Sequence, residues 1–94
     1  MTTEKAIKLK DGSTLPKGLP VQFIPNSPRT CYVHCDRDEP VHVRITSAFI
    51  PPTADEIEAA VCDSVCLSVG GETVEPDGWD SAGSPSWLMA LGLV

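Results

Sequence analysis

Between Pro51-Pro52 and Gly70-Gly71 stands the stretch TADEIEAAVCDSVC, residues 53–66. Its local chemistry favours a helix. Thr53 lies three residues before Glu56, the spacing of a capping box. There the hydroxyl accepts from the Glu56 N–H and the carboxylate reaches back to the Thr53 N–H. Asp55, Glu56 and Glu58 put negative charge in the first turns, where it complements the positive end of the helix dipole. Gly70-Gly71 supplies the stop. A central helix over 53–66 is therefore expected, with the rest of the chain packed around it.

At about 100° per residue, Ala54, Ile57, Val61, Ser64 and Val65 share the side expected to face the core. Ala59, Cys62 and Cys66 make a second strip of small residues, bordered by Asp55 and Asp63. Small side chains let another element approach closely. The helix is thus expected to be covered twice, by a sheet and by something C-terminal.

The N-terminal half is punctuated by turns. KAIKLK (5–10) reads as a short strand with Ala6 and Leu9 inward, closed by the Asp11-Gly12 turn signal. Pro16, Gly18 and Pro20 bend the chain into a second strand, Val21 to Ile24, and Asn26-Ser27-Pro28 reads as another turn. TCYVHC (30–35) alternates: Cys31, Val33 and Cys35 share one face, Thr30, Tyr32 and His34 the other. Residues 41–49, VHVRITSAF, alternate again, with Val41, Val43 and Ile45 opposite His42, Arg44 and Thr46. The polar DRDEP loop between the two runs makes them a β-hairpin.

After the helix, residues 67–69 either extend it or pair across Gly70-Gly71 with residues 72–74. PDGWD (76–80) is a turn. Ser84-Pro85 reads as an N-cap with proline at the first helical position. The short helix from Pro85 to Leu91 then carries Trp87, Leu88 and Leu91 on one side, and Gly92 closes it. Trp87 and Leu88 are the expected cover for the small strip. Residues 1–94 form one domain. The expected fold is small α+β: a strongly bent antiparallel β-sheet, one central helix and a short C-terminal helix. The LPKGLPV stretch resembles the Pro/Gly lead-in to a strand in SH3-like barrels.

Charge divides the chain. Residues 1–44 hold all seven Lys and Arg against five acids, a balance of +2; residues 45–94 hold eight acids and no base, a balance of −8. Such a half repels phosphates and disfavours direct nucleic-acid binding. It suits docking on a basic protein surface. No apolar run approaches the ~20 residues of a membrane span, and MTTEKAIKLKDG lacks the apolar core of a secretory signal. A cytoplasmic protein is expected.

The four cysteines form two C-x3-C pairs, Cys31/Cys35 and Cys62/Cys66. Zinc is one reading, since four thiolates satisfy its tetrahedron, but zinc motifs usually set their pairs on tight turns. Disulfides are a second, disfavoured without a secretory signal. The preferred reading is cysteine as a small buried hydrophobe, so no metal or other cofactor is expected. Catalysis finds little support. His34 points away from Cys35 on a strand, and no glycine loop matches a phosphate cradle.

EPDGWDSAGSPSWLMALGLV resembles the ends of small proteins encoded by phages and prophages, through Asp77, Gly78, Trp79, Asp80, Gly83, Pro85, Ser86, Trp87, Leu88, Ala90, Leu91 and Gly92. The resemblance implies a small accessory protein acting on a host or phage partner. The expected function is non-catalytic protein binding, as in inhibitors of host defence machines. Glu56, Glu58, Asp63, Glu72, Glu75 and Trp79 are the expected partner-binding residues. An alternative patch is Tyr32, His34, His42 and Arg44 on the outer face of the hairpin. Two alternative functions are a module stabilised by metal on Cys31, Cys35, Cys62 and Cys66, and a structural protein forming a homo-oligomer.

Overall fold

Alternation decides the first half of the chain. The computed structural model, which describes residues 1–63 and 65–94, is a small α+β fold with three antiparallel sheets and three short helices. β3 (Val21–Ile24), β4 (Ser27–Val33) and β5 (Val41–Arg44) form a meander. Cys31 and Val33 are fully buried, and Val43, opposite Cys31, is buried beside them. The β3–β4 turn is Pro25-Asn26, one residue earlier than expected. Pro25 presets a negative φ and Asn26 supplies a φ of 64°, the combination a type II turn requires. Ser27 and Pro28 belong to β4.

β1 (Ile7–Lys8) and β2 (Thr14–Leu15) make a separate hairpin through the Asp11-Gly12 turn. Ile7 is buried and Ala6 exposed, so the expected inward residue is off by one; Leu9 does pack on the core. The Pro/Gly lead-in feeds β3 as expected. The hydrogen-bonded order nonetheless stops at three strands, and the other two ladders are two-stranded hairpins. The resemblance to an SH3-like barrel does not extend to the sheet.

Residues 45–49 do not continue β5. They form one helical turn, α1 (Ile45–Ala48), closed by Phe49 N–H on Ile45 O at 2.9 Å. Ile45, Ala48 and Phe49 are all fully buried, which is the i, i+3, i+4 period of a helix. A strand would have turned Ala48 outward. Phe49 stacks on Phe23 with centroids 6.0 Å apart.

α2 (Ala54–Asp63) starts where the capping box puts it: Glu56 N–H donates to Thr53 Oγ1 at 3.3 Å. The Glu56 carboxylate takes the Thr53 hydroxyl at 3.1 Å rather than its N–H. The described helix runs to Asp63, and Cys66 lies outside it. Its last turn holds no base, and Asp63 there opposes the dipole. Cys66–Leu67 instead forms β6, paired with β7 (Thr73–Val74). Of the two readings of residues 67–69, the hairpin is correct. Gly71, at φ 94°, lies in the hairpin turn and does not stop a helix. Pairing buries Cys66, Ser68 and Val69, which extending an exposed helix would not.

The helix itself buries no residue completely. Of its expected core face, Ile57 is half-buried, Ala54, Val61 and Val65 are exposed, and Ser64 lies outside the described residues. Ala59 and Cys62 are exposed too, and Cys66 has left for β6. The expected double cover is absent from the described residues. Trp87 and Leu88 do approach α2, but on its Ile57 and Ala60 side.

α3 (Trp87–Ala90) begins later than expected. Its N-cap is Ser86, whose Oγ accepts from Met89 N–H at 3.1 Å. Pro85 instead bridges to Trp79. The end is a Schellman motif: Gly92 N–H to Met89 O at 3.0 Å, Leu93 N–H to Leu88 O at 2.8 Å, and Gly92 at φ 76°. Trp87 and Ala90 join Cys31, Val33 and Phe49 in one core.

Candidate functional site

Two surfaces and one part-buried cluster collect the candidate functional side chains. The acidic surface is carried by α2 and the β6–β7 hairpin. Glu56, Glu58, Asp63, Glu72 and Glu75 are all exposed. Two of them have structural duties. Glu56 holds the cap of α2, and Glu72 accepts the Ser81 N–H and hydroxyl at 3.0 and 2.8 Å. Glu58, Asp63 and Glu75 make no side-chain hydrogen bond or ion pair to any described residue. Among the described residues the one ion pair is Arg37 with Asp11, at 3.6 Å, and it lies in the N-terminal half.

Beside these carboxylates runs an open apolar groove of about 240 Å³ between α2, β6 and α3. Trp87, Leu88 and Cys66 are buried in it, Ile57 and Ala60 are half-buried on its α2 side, Val65 and Leu67 are exposed at its edge, and Glu56 and Asp63 are its charged residues. Trp79 is not part of it. That ring is half-buried and lines a separate hollow with Phe23, Pro25 and Asn26. It acts as a joint between the C-terminal loop and the β3–β4 turn.

The second surface is the outer face of the three-stranded sheet. Gln22, Tyr32 and His42 face one another across β3, β4 and β5, and Thr30 faces Arg44. The Tyr32 and His42 rings lie 5.2 Å apart. His34 is tied to Gln22 Oε1 through Nε2 at 3.0 Å. The four residues of the alternative patch therefore do share one face. The structure adds Lys8 and Lys10 of the β1 hairpin, which line a concavity with His42 and Arg44 that contains no acid. The sequence signal for the pair was available: they alternate with Ile7 and Leu9.

The part-buried cluster was not anticipated. Asp80 Oδ2 accepts the Ser68 hydroxyl at 2.6 Å and the Ser84 hydroxyl; Oδ1 accepts the Ser84 and Ala82 N–H groups, both at 2.9 Å. Ser84 Oγ in turn accepts Gly70 N–H at 3.0 Å, and Ser68 Oγ accepts Glu72 N–H at 3.1 Å. Gly70 is required by closeness, since a Cβ there would sit 2.7 Å from Asp80 Oδ2. Burial pushes the Asp80 carboxyl up, but the four donated hydrogen bonds outweigh it and hold the group below its ordinary value. Serine nucleophiles need a base. Here both hydroxyls donate to a carboxylate, and neither His34 nor His42 belongs to the cluster. Structurally the cluster clamps the turn at residues 80–84 to the β6–β7 hairpin.

The cysteines do not converge. Cys31 is buried in β4, Cys35 half-buried, Cys62 exposed on α2 and Cys66 buried in β6, all as free thiols. Among the described residues no group of three or more His, Cys, Asp or Glu is placed to hold a metal. The four-cysteine grouping of the alternative metal reading is not assembled among the described residues. Burial pushes the Cys31 thiol up to about 11, so at neutral pH it is a protonated core residue. No described helix is long and apolar enough to cross a membrane. No family model, curated protein or solved structure matches this chain.

Proposed function

We propose that this chain is a non-catalytic binding protein whose acidic half docks on a basic surface of another protein. The observation that carries the reading is the state of the acids. Residues 45–94 contain no Lys or Arg, and Glu58, Asp63 and Glu75 stand exposed without a cation among the described residues. Unpaired like charges repel one another and are retained at some cost in stability. A basic partner converts that cost into attraction and speeds encounter. The phage-like C-terminal segment favours a host or phage protein as the partner, in the bacterial cytoplasm, with inhibition of a host defence machine as the consequence.

Affinity capture from nuclease-treated bacterial lysate tests this. A stoichiometric partner is expected, and it is expected to be lost when Glu58→Lys and Asp63→Lys are combined, with the circular dichroism spectrum unchanged. Retention by the double variant would sink the reading.

The basic concavity favours a second reading, in which the acidic surface of one copy meets Lys8, Lys10, His42 and Arg44 of another. That predicts a defined homo-oligomer that dissociates as salt is raised past the screening range of ~0.1–0.5 M. A monomer at low salt by light scattering would remove it.

A further inference from the structure

The groove beneath α2 is unfinished, and its surroundings say what finishes it. A capped ten-residue helix ordinarily gains most of its stability by burying an apolar stripe. α2 buries none of its residues completely. Val61, Val65 and Leu67 are 59%, 46% and 50% exposed, while Leu88 beneath the helix is 1% exposed. At about 240 Å³, the space exceeds a cavity of ~150 Å³ that admits benzene, so one or two branched aliphatic side chains fit.

The occupant is constrained by charge. Glu56 and Asp63 are the charged residues of the groove, both acidic and exposed, and residues 45–94 offer no base in compensation. An anionic lipid surface or an acidic peptide would be repelled. We propose that the groove binds a basic peptide segment of a partner protein, which inserts a leucine-sized side chain between Ile57, Ala60 and Leu88 while flanking Lys or Arg residues meet Glu56 and Asp63. This inference rests on the acidic-docking reading and adds to it the chemistry of the segment.

Three synthetic peptides test it on the full chain: KRSLLSRK, KRSAASRK and EESLLSEE. Trp87 reports on the groove, and Trp79→Phe makes it the sole indole. The expected result is saturable quenching or shift of Trp87 emission by KRSLLSRK. Affinity should fall at least tenfold for KRSAASRK, as burial of aliphatic surface requires, with no binding of EESLLSEE. Ala60→Leu fills the groove with a good helix former. It should weaken KRSLLSRK by a similar factor while the helical circular dichroism signal persists.

Equal affinity for the leucine and alanine peptides, no effect of Ala60→Leu, or no saturable binding would each overturn the proposal. Binding of EESLLSEE as tight as that of KRSLLSRK would overturn its charge assignment. The two readings fail differently. If Ala60→Leu still captures the protein partner and the Glu58→Lys, Asp63→Lys pair does not, docking stands and the groove assignment falls. If charge reversal leaves capture intact, the docking reading itself has failed.

Discussion

In the sheet half, β4 hides Cys31 and Val33 completely, and the cluster around them is apolar: Ile7, Leu15, Val43, Ile45 and Phe49. From Ser68 to Ser86 the hidden side chains include three serines, and their partners are a carboxylate, amide N–H groups and the Pro76 carbonyl. The first region is held by area removed from water, the second by donors and acceptors that must all be present. Apolar packing yields by degrees, because neighbours relax into a lost volume. A polar network does not, because removing one member strands the others without water. Only the second region carries at its centre a group that is ionised at neutral pH, since burial keeps the Cys31 thiol protonated.

The comparison breaks first at Phe49. Phe49→Ala is expected to cost about 3–5 kcal/mol, measured by urea unfolding. A loss under ~1 kcal/mol would move the seat of stability away from the sheet. Asp80→Ala should cost about 2–4 kcal/mol, since two hydroxyls and two N–H groups lose their acceptor. Asp80→Asn should cost less, because both serine hydroxyls can rotate to accept from the amide.

The same residue gives the polar region its acid signature. The Asp80 carboxyl is held below its ordinary 3.8. Its contribution is therefore present above that value and is lost as pH falls through the lower, folded one. Acid titration of stability should show this limb in the parent and a shallower one in Asp80→Ala. Equal slopes would mean that the clamp is not electrostatic.

Smaller effects sharpen the contrast at the edges of the two regions. Gly92→Ala should cost about 1–2 kcal/mol for the left-handed backbone. The new Cβ would meet the Arg29 guanidinium, the end of a flexible exposed side chain that can swing aside, so the loss should be close to that of alanine at the left-handed Gly83. Thr53→Ala removes a cap worth ~1 kcal/mol. Because α2 buries no residue fully, faster amide exchange confined to α2 is expected, with little change in melting temperature. A global shift would show that the helix is better anchored than its exposure indicates.

Much of the architecture was legible because period-2 burial is written locally. Cys31, Val33 and Val43 lie where alternation puts them, and Gly92 ends its helix where a left-handed residue is needed. α1 was not legible, because strand and helix periods agree on Ile45 and Phe49 and differ only at Ser47 and Ala48. The true end of α2 was hidden for a different reason. Residues 66–69 satisfy a helical pattern locally but pair with a strand that comes later in the chain. The Asp80 clamp joins Ser68 to a residue twelve positions on, and side-chain hydrogen bonds have no periodic signature. The acids of the proposed docking surface could be named from charge alone. The groove beside them could not, since its floor comes from α3 and its wall from α2.

The place of Trp87 and Ala90 in the core beside β4 also sets a clock. A ribosome adding ~5–20 residues per second makes Cys31 roughly 3–12 s before it makes Ala90. Through that interval the nascent sheet presents an apolar face with part of its cover not yet synthesised. Transiently exposed apolar surface promotes aggregation, so slower translation is expected to lengthen the hazard.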